Sequence, residues 1–157
     1  MRHTFNIFIA SDHQGFELKN TLRDWMKKNG YSVTDFGPET INSEDDYPDY
    51  GIKVATAVAE NPKNGLGIVI CASGVGMAVA ADKVKGVRAS LIHDPRIAKA
   101  AREDDNINVL ALGAKFISAS EAIEVVKVWL ETPFSEAERH IRRLSKISEY
   151  ENTTSPH

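Results

Sequence analysis

Gly67-Ile68-Val69-Ile70-Cys71-Ala72-Ser73-Gly74-Val75-Gly76-Met77 begins as an apolar run, halts at the only cysteine of the chain and turns through small residues toward a helix-forming segment, Met77 to Val84. A short apolar run bounded by glycine reads as a buried strand ending at Cys71. A small-residue turn entering a helix points successive backbone N–H groups outward, which suits anions. A thiol at such a turn sits in positive potential that favours thiolate, so Cys71 is a candidate base or nucleophile. The competing reading is a small buried hydrophobe, the usual role of free cysteine, and spacing alone leaves both open. Ser73 either donates its hydroxyl to a developing oxyanion or satisfies the turn. The run Ser73-Gly74-Val75-Gly76 is neither a Walker loop nor a dinucleotide G-x-G-x-x-G, which argues against ATP and NAD.

Working outward, Phe5 to Ala10 reads as a strand, followed by the polar break Ser11-Asp12-His13-Gln14-Gly15. Phe16, Leu18, Leu22, Trp25 and Met26 recur at helical spacing until Asn29-Gly30 closes the helix. Tyr31 to Phe36 supplies a second strand, and Gly37 to Pro48 is a polar, acidic loop of the length that more often carries function than not. Pro48 near N1 starts a helix bearing Ile52, Val54, Ala55 and Val58. On the other side, Val87 to Ile92 predicts a fourth strand and His93-Asp94-Pro95 a helix start. That helix ends in Glu103-Asp104-Asp105, before a fifth strand at Asn108 to Gly113. Ser118 caps a helix over Ala119 to Leu130, and a last helix over Ser135 to Ser148 carries the thin apolar line Ile141, Leu144, Ile147.

This alternation predicts a parallel five-stranded sheet covered on both faces, with ligands at the carboxyl ends of its strands. Asp12-His13, Cys71 to Gly76 and His93-Asp94 each follow a strand directly and so converge on one edge. Asp12 reads either as a turn cap or as a ligand contact, and His13 as a surface residue or a ligand contact. In the last helix Arg139 and Arg143 share a face and could grip a phosphate, against a plain reading as a solvated cationic face.

The chain has 157 residues, 42% hydrophobic, enough for one domain over residues 1–149 with residues 150–157 a flexible tail. A net charge of −3 gives no basic stripe for nucleic acid, and no apolar run reaches a membrane span's length. The single cysteine permits no internal disulfide and suits a reducing compartment, so cytoplasm is expected. No metal is expected, because one cysteine and no i, i+4 histidine pair make a poor ligand set.

Taken together, six segments resemble one family: Ser11-Asp12-His13-Gln14-Gly15-Phe16, Asp46-Tyr47-Pro48, Cys71-Ala72-Ser73-Gly74-Val75-Gly76, Gly86-Val87-Arg88-Ala89, Asn108 to Gly113, and Arg139-His140-x-x-Arg143. Their order and spacing are similar to the type B ribose-5-phosphate isomerases and related galactose-6-phosphate isomerase subunits, from about Phe5 to Ser148. The resemblance implies a Rossmann-like three-layer α/β/α fold with a protruding C-terminal helix, in a homodimer or a tetramer of dimers. It implies cofactor-free interconversion of an aldose phosphate and its ketose phosphate through a cis-enediolate. Cys71 matches the base of the family's cysteine-bearing branch; another branch has glutamate at the position of Met77. Ser73 matches the turn hydroxyl, and the turn Ala72-Ser73-Gly74-Val75-Gly76 would hold the enediolate on its N–H groups. Asp12 and His13 resemble contacts to substrate hydroxyl and phosphate, and Tyr47 a pocket wall. Arg139 and Arg143 match phosphate-binding arginines contributed by a neighbouring subunit, with Lys115 a further basic residue.

The family's histidine-asparagine pair before the fifth strand, linked to furanose ring opening and substrate binding, is Asp104-Asp105 here, and the carry-over fails at both. Asp104 with a raised pKa, His13 or His93 could replace the histidine, or the substrate could be an open-chain tetrose phosphate. The expected activity is ribose 5-phosphate/ribulose 5-phosphate isomerisation with Cys71 as base. Its alternatives are another sugar phosphate (tetrose or hexose, such as a galactose 6-phosphate subunit) and a non-catalytic phosphosugar-binding subunit.

Overall fold

The structure, a computed structural model, describes residues 4–153. In chain order the elements are β1 (Asn6–Ser11), a 3-10 turn (His13–Gly15), α1 (Phe16–Lys28), β2 (Ser32–Asp35), α2 (Tyr47–Glu60) and β3 (Gly65–Cys71). Then come α3 (Val75–Asp82), β4 (Ala89–Leu91), α4 (Pro95–Asp105), β5 (Val109–Gly113), α5 (Ala119–Glu131) and α6 (Glu138–Thr153). The strands form one parallel sheet in the order β2-β1-β3-β5-β4.

β3 is central, and all seven of its residues are buried. Successive side chains alternate between faces. Leu66, Ile68 and Ile70 join Leu110 and Leu112 of β5 in a core closed by Leu22 and Met26 of α1, Ala98 of α4, and Val125 and Trp129 of α5. Val69 and Cys71 face the other way, with Val109 and Ala111, toward Val54 and Val58 of α2 and Met77 of α3. The result is a three-layer α/β/α fold, each buried aliphatic side chain contributing about 1.5–3 kcal/mol. Gly67 lets α2 approach β3 closely: a Cβ there would lie 2.7 Å from Val54 Cγ1.

At the edge of β2, Lys19 Nζ is fully buried and donates to Asp35 Oδ2 at 2.7 Å, while Arg23 Nη1 donates to the same oxygen at 3.0 Å. Asp35 Oδ1 accepts the Gly37 N–H at 2.8 Å, which fixes the start of the loop leading to α2. Removing this carboxylate would strand a buried ammonium, a change that typically costs about 3–5 kcal/mol.

The last helix departs from its expected limits at both ends. Glu136 at φ 55 blocks a start at Ser135, whose hydroxyl instead accepts the Ala137 N–H at 3.2 Å. Beyond Ser148 the helix runs on to Thr153, taking in residues 150–153 of the expected tail; residues 154–157 lie outside the described residues. The reason is tertiary: both carboxylate oxygens of Glu151 accept the Gly86 N–H, at 3.1 Å each. α6 lies outside the three layers, with Ile141, Ile147 and Tyr150 exposed. No described helix is long and apolar enough to cross a membrane.

Candidate active site

Because every strand is parallel, their carboxyl ends share one edge. Ser11 pairs with Ile70 and Cys71 with Gly113, so the segments after β1, β3 and β5 leave the sheet side by side. The ladder continues past the strands, where Ala114 N–H donates to Cys71 O at 2.9 Å and Lys115 N–H to Ala72 O at 3.0 Å. Lys115 therefore stands, exposed, beside the turn after Cys71.

That turn is shaped by Gly74, whose φ of 79 lies in the left-handed region. It directs the Gly74 N–H onto Cys71 Sγ at 3.2 Å, and Cys71 itself is only 5% exposed. Ser73 Oγ accepts the Val75 N–H at 3.3 Å, which leaves the hydroxyl proton free to donate. The N–H groups of Gly76 and Met77 lie in the first turn of α3, where no intrahelical acceptor exists, so they are available to an oxyanion. Tyr47, at the start of α2, covers this turn: a Cβ on Gly76 would lie 2.6 Å from the tyrosine Cζ. A sulfur that accepts a backbone hydrogen bond, a hydroxyl and free N–H groups thus meet within one turn under an aromatic wall.

Next to it, Asp12 caps the 3-10 turn, its Oδ1 accepting from Gln14 N–H at 3.0 Å and Gly15 N–H at 3.2 Å. Burial raises the Asp12 pKa despite these bonds. His13 turns toward the loop before α2, where Nδ1 meets Asp45 Oδ1 at 2.6 Å and the His13 backbone N–H donates to the same oxygen at 3.1 Å. The hydrogen bond to Asp45 raises the His13 pKa, with Asp12 and Glu44 adding to the effect. Asp12, His13 and Asp45 offer three potential metal-ligand atoms within 4.8 Å of one another, and His13 Nδ1 and Asp45 Oδ1 are engaged with each other at 2.6 Å.

His93 also reaches this edge, in a different state. Its Nε2 accepts the Gly113 N–H at 3.0 Å, and burial lowers its pKa. The ring is held neutral with Nε2 occupied by backbone, so it is a strut under the turn and no donor at that nitrogen.

The remaining expected residues lie at the opposite edge. Asp104 and Asp105 end α4 just before β5 starts, and Arg88 Nε, beside the start of β4, donates to Asp105 O at 3.1 Å. Asp104 Oδ1 lies 3.4 Å from Nε2 of His140, whose Nδ1 meets Ser135 Oγ at 2.7 Å. His140 is 5% exposed, so it packs against α4 instead of joining the exposed Arg139 and Arg143 in one cationic face. The five residues of β5 put roughly 16 Å between this amino edge and Cys71. One chain therefore brings Asp12, His13, Tyr47, Cys71, Ala72, Ser73, Gly74, Val75, Gly76 and Lys115 to one edge. It does not bring Asp104, Asp105, Arg139 or Arg143 to them. Asp45 was not singled out by sequence; its only signal was membership of the long acidic loop.

A family model described as Ribose/Galactose Isomerase matches residues 7–147. A probable ribose-5-phosphate isomerase B of Mycoplasma genitalium is 46% identical over 151 residues, 96% of this chain and 99% of that protein. The putative sugar phosphate isomerase YwlF of Bacillus subtilis is 41% identical, over 92% of this chain and 96% of its own length. The crystal structure of the Mycoplasma genitalium ribose-5-phosphate isomerase B with bound ribulose-5-phosphate aligns with a TM-score of 0.94 at 44% identity, covering 98% of this chain and all of that one. Ribose-5-phosphate isomerase B of Clostridium thermocellum aligns with a TM-score of 0.90 at 42% identity, over 96% of this chain and 100% of the other. With nine-tenths of its length matched by the family model, the chain belongs to the ribose/galactose isomerase family.

Proposed function

We propose that this protein interconverts ribose 5-phosphate and ribulose 5-phosphate in the cytoplasm, as a homodimer whose site is shared between subunits. The observation that carries this reading is the turn after β3, where the Gly74 N–H contacts Cys71 Sγ while the Ser73 hydroxyl and the first N–H groups of α3 stay available.

Isomerisation needs one base that moves a proton between adjacent carbons and one site for the oxygens that become negative. Cys71 removes the C2 proton of the open-chain aldose, and the enediolate oxygens are held by the Ser73 hydroxyl and the N–H groups of Gly76 and Met77. Return of the carbon proton to C1, with the hydroxyl proton passing from O2 to O1 across the cis-enediolate, gives the ketose, so the chemistry balances without a cofactor. Asp12 faces a sugar hydroxyl, and Tyr47 closes the pocket. Phosphate is a dianion, and the exposed guanidinium groups of Arg139 and Arg143 suit it. They are carried by α6, which meets the amino edge through His140 and Asp104 while Cys71 lies at the carboxyl edge, so on this reading a second copy supplies them. Lys115, on the same edge as Cys71, adds a cation from the first copy.

The purified protein should be assayed on four-, five- and six-carbon aldose phosphates. A clear preference for ribose 5-phosphate is the expected result. Preference for a tetrose phosphate, which needs no ring opening, would replace the pentose reading, and no turnover of any would sink the enzyme.

A further inference from the structure

We infer that His93 is a positioning residue for the turn after β3, and that its protonation disables that turn in acid, an inference that rests on the isomerase reading above. β4 ends at Leu91, and Ile92 N–H makes the last backbone bond of that edge, to Ala111 O at 3.3 Å. The next N–H of β5 on the same side belongs to Gly113, and it donates to Nε2 of His93 at 3.0 Å. A ring nitrogen thus stands where a further strand would place a carbonyl.

Gly113 is packed directly against the turn that follows Cys71. It pairs with Cys71 in the sheet, and a Cβ built on it would lie 2.5 Å from the Ser73 carbonyl carbon. A Cβ on Gly74 would in turn lie 2.9 Å from the Gly113 nitrogen. The nitrogen that His93 holds therefore touches the backbone that aims the Gly74 N–H at Cys71 Sγ. At such packing Gly113 cannot move toward the turn without carrying Ser73 and Gly74 with it.

As an acceptor at Nε2, the neutral ring carries its proton on Nδ1. Protonation adds a hydrogen to Nε2, and two donors then face each other across 3.0 Å. Either the ring swings away and leaves the buried Gly113 N–H without a partner, or Gly113 withdraws and pushes the turn. Both outcomes release the turn from its anchor. His93 lines a cavity of about 480 Å³ with Asp94 and Arg96 at the start of α4 and Glu121 and Glu124 of α5, and the exposed Lys115 follows on the turn beyond Gly113. Asp94 is ion-paired with Arg96, and Glu121 accepts the Ser118 N–H. Burial outweighs the nearby Glu121 and lowers the His93 pKa, so the acceptor form prevails at neutral pH.

Nuclear magnetic resonance of the unliganded protein reads the coupling without turnover. The His93 ring should titrate below about 6.5, the ordinary imidazole value, and the amide signals of Ser73, Gly74 and Gly113 should move with it. His93→Gln, whose side-chain oxygen can take the Gly113 N–H, should abolish that movement. In turnover of ribose 5-phosphate, log kcat of the unaltered protein should fall with a slope of one as Cys71 gains its proton. It should steepen toward two as His93 gains another, with far-ultraviolet circular dichroism unchanged across the range. His93→Gln should keep kcat near normal at neutral pH and hold a slope of one throughout. His93→Leu, which has no acceptor, should lose roughly 10- to 100-fold in kcat with KM near normal. The glutamine variant keeps the inference open to refutation if the leucine variant does not fold. Amide signals indifferent to His93, or the same steepening in His93→Gln, would overturn the inference. Amide signals that follow His93 in a protein with no turnover of ribose 5-phosphate would instead overturn the isomerase reading and support the positioning role.

Discussion

The two edges of the sheet hold the two halves of the candidate site in different physical forms. At the carboxyl edge the groups are fixed by backbone: Gly74 N–H on Cys71 Sγ, Ser73 Oγ under Val75 N–H, Asp12 Oδ1 under two N–H groups, and His13 held by Asp45. At the amino edge Arg139 and Arg143 are exposed side chains on a helix outside the layers. The comparison teaches a division of labour. Proton transfer tolerates little misplacement, and the groups proposed for it sit on strand ends and turns that cannot drift. Under the proposed function, phosphate capture draws on charge that reaches farther, and long guanidinium side chains presented to a second copy would suffice for it.

The largest expected effect breaks the carboxyl edge. Cys71→Ala should lower turnover of ribose 5-phosphate by roughly 10²- to 10⁴-fold, the range of a general base, with substrate binding retained in a titration. Retained turnover would move the base elsewhere. The cavity left is small, and the surrounding core of Val69, Met77 and Ala111 holds the strand end in place, so folding should survive.

A second experiment tests whether the edges belong to different subunits. Arg143→Ala alone should raise KM by roughly ten- to a hundredfold, the worth of a charge-assisted hydrogen bond. Cys71→Ala and Arg143→Ala chains refolded together should then regain about a quarter of the normal activity, because half the dimers are mixed and each mixed dimer holds one intact site. If one chain supplied both groups, mixing would restore nothing.

The contrast between the edges also explains what the sequence revealed. β3 and its turn were legible because an unbroken apolar run and a small-residue turn are local signals, and strand-end clusters inherit their position from a parallel sheet. The short edge strand β4 was overdrawn: Val87 N–H bonds back to Val84 O in a turn, and Ile92 lies beyond the ladder, bonding Ala111 O as the chain leaves the sheet. The reach of α6 to Thr153 depends on Glu151 meeting Gly86, 65 residues away, and no local rule sees that. The His13–Asp45 pair spans 32 residues and was hidden for the same reason. Asp104 before β5 was visible, but its position opposite Cys71 becomes apparent only with the strand directions.

The smallest expected effect separates geometry from chemistry at the carboxyl edge. Gly74→Ala keeps every functional side chain but places a Cβ on a residue at φ 79, a cost of about 1–2 kcal/mol. The new atom would lie 2.6 Å from Leu91 Cδ1, which can swing away, and 2.8 Å from the Leu112 carbonyl carbon, which cannot without moving β5. The chain should relieve this by rotating the turn, carrying the Gly74 N–H off Cys71 Sγ. The urea midpoint should therefore fall with an unchanged m-value, and kcat should drop at a concentration of substrate that saturates the variant. Because the arginines of the other edge are untouched, KM should stay near its normal value. A rise in KM with kcat intact would mean that the turn contributes to binding the ground state and not to the enediolate, which would transfer the oxyanion role from the α3 N-terminus to Lys115 or the partner's cations.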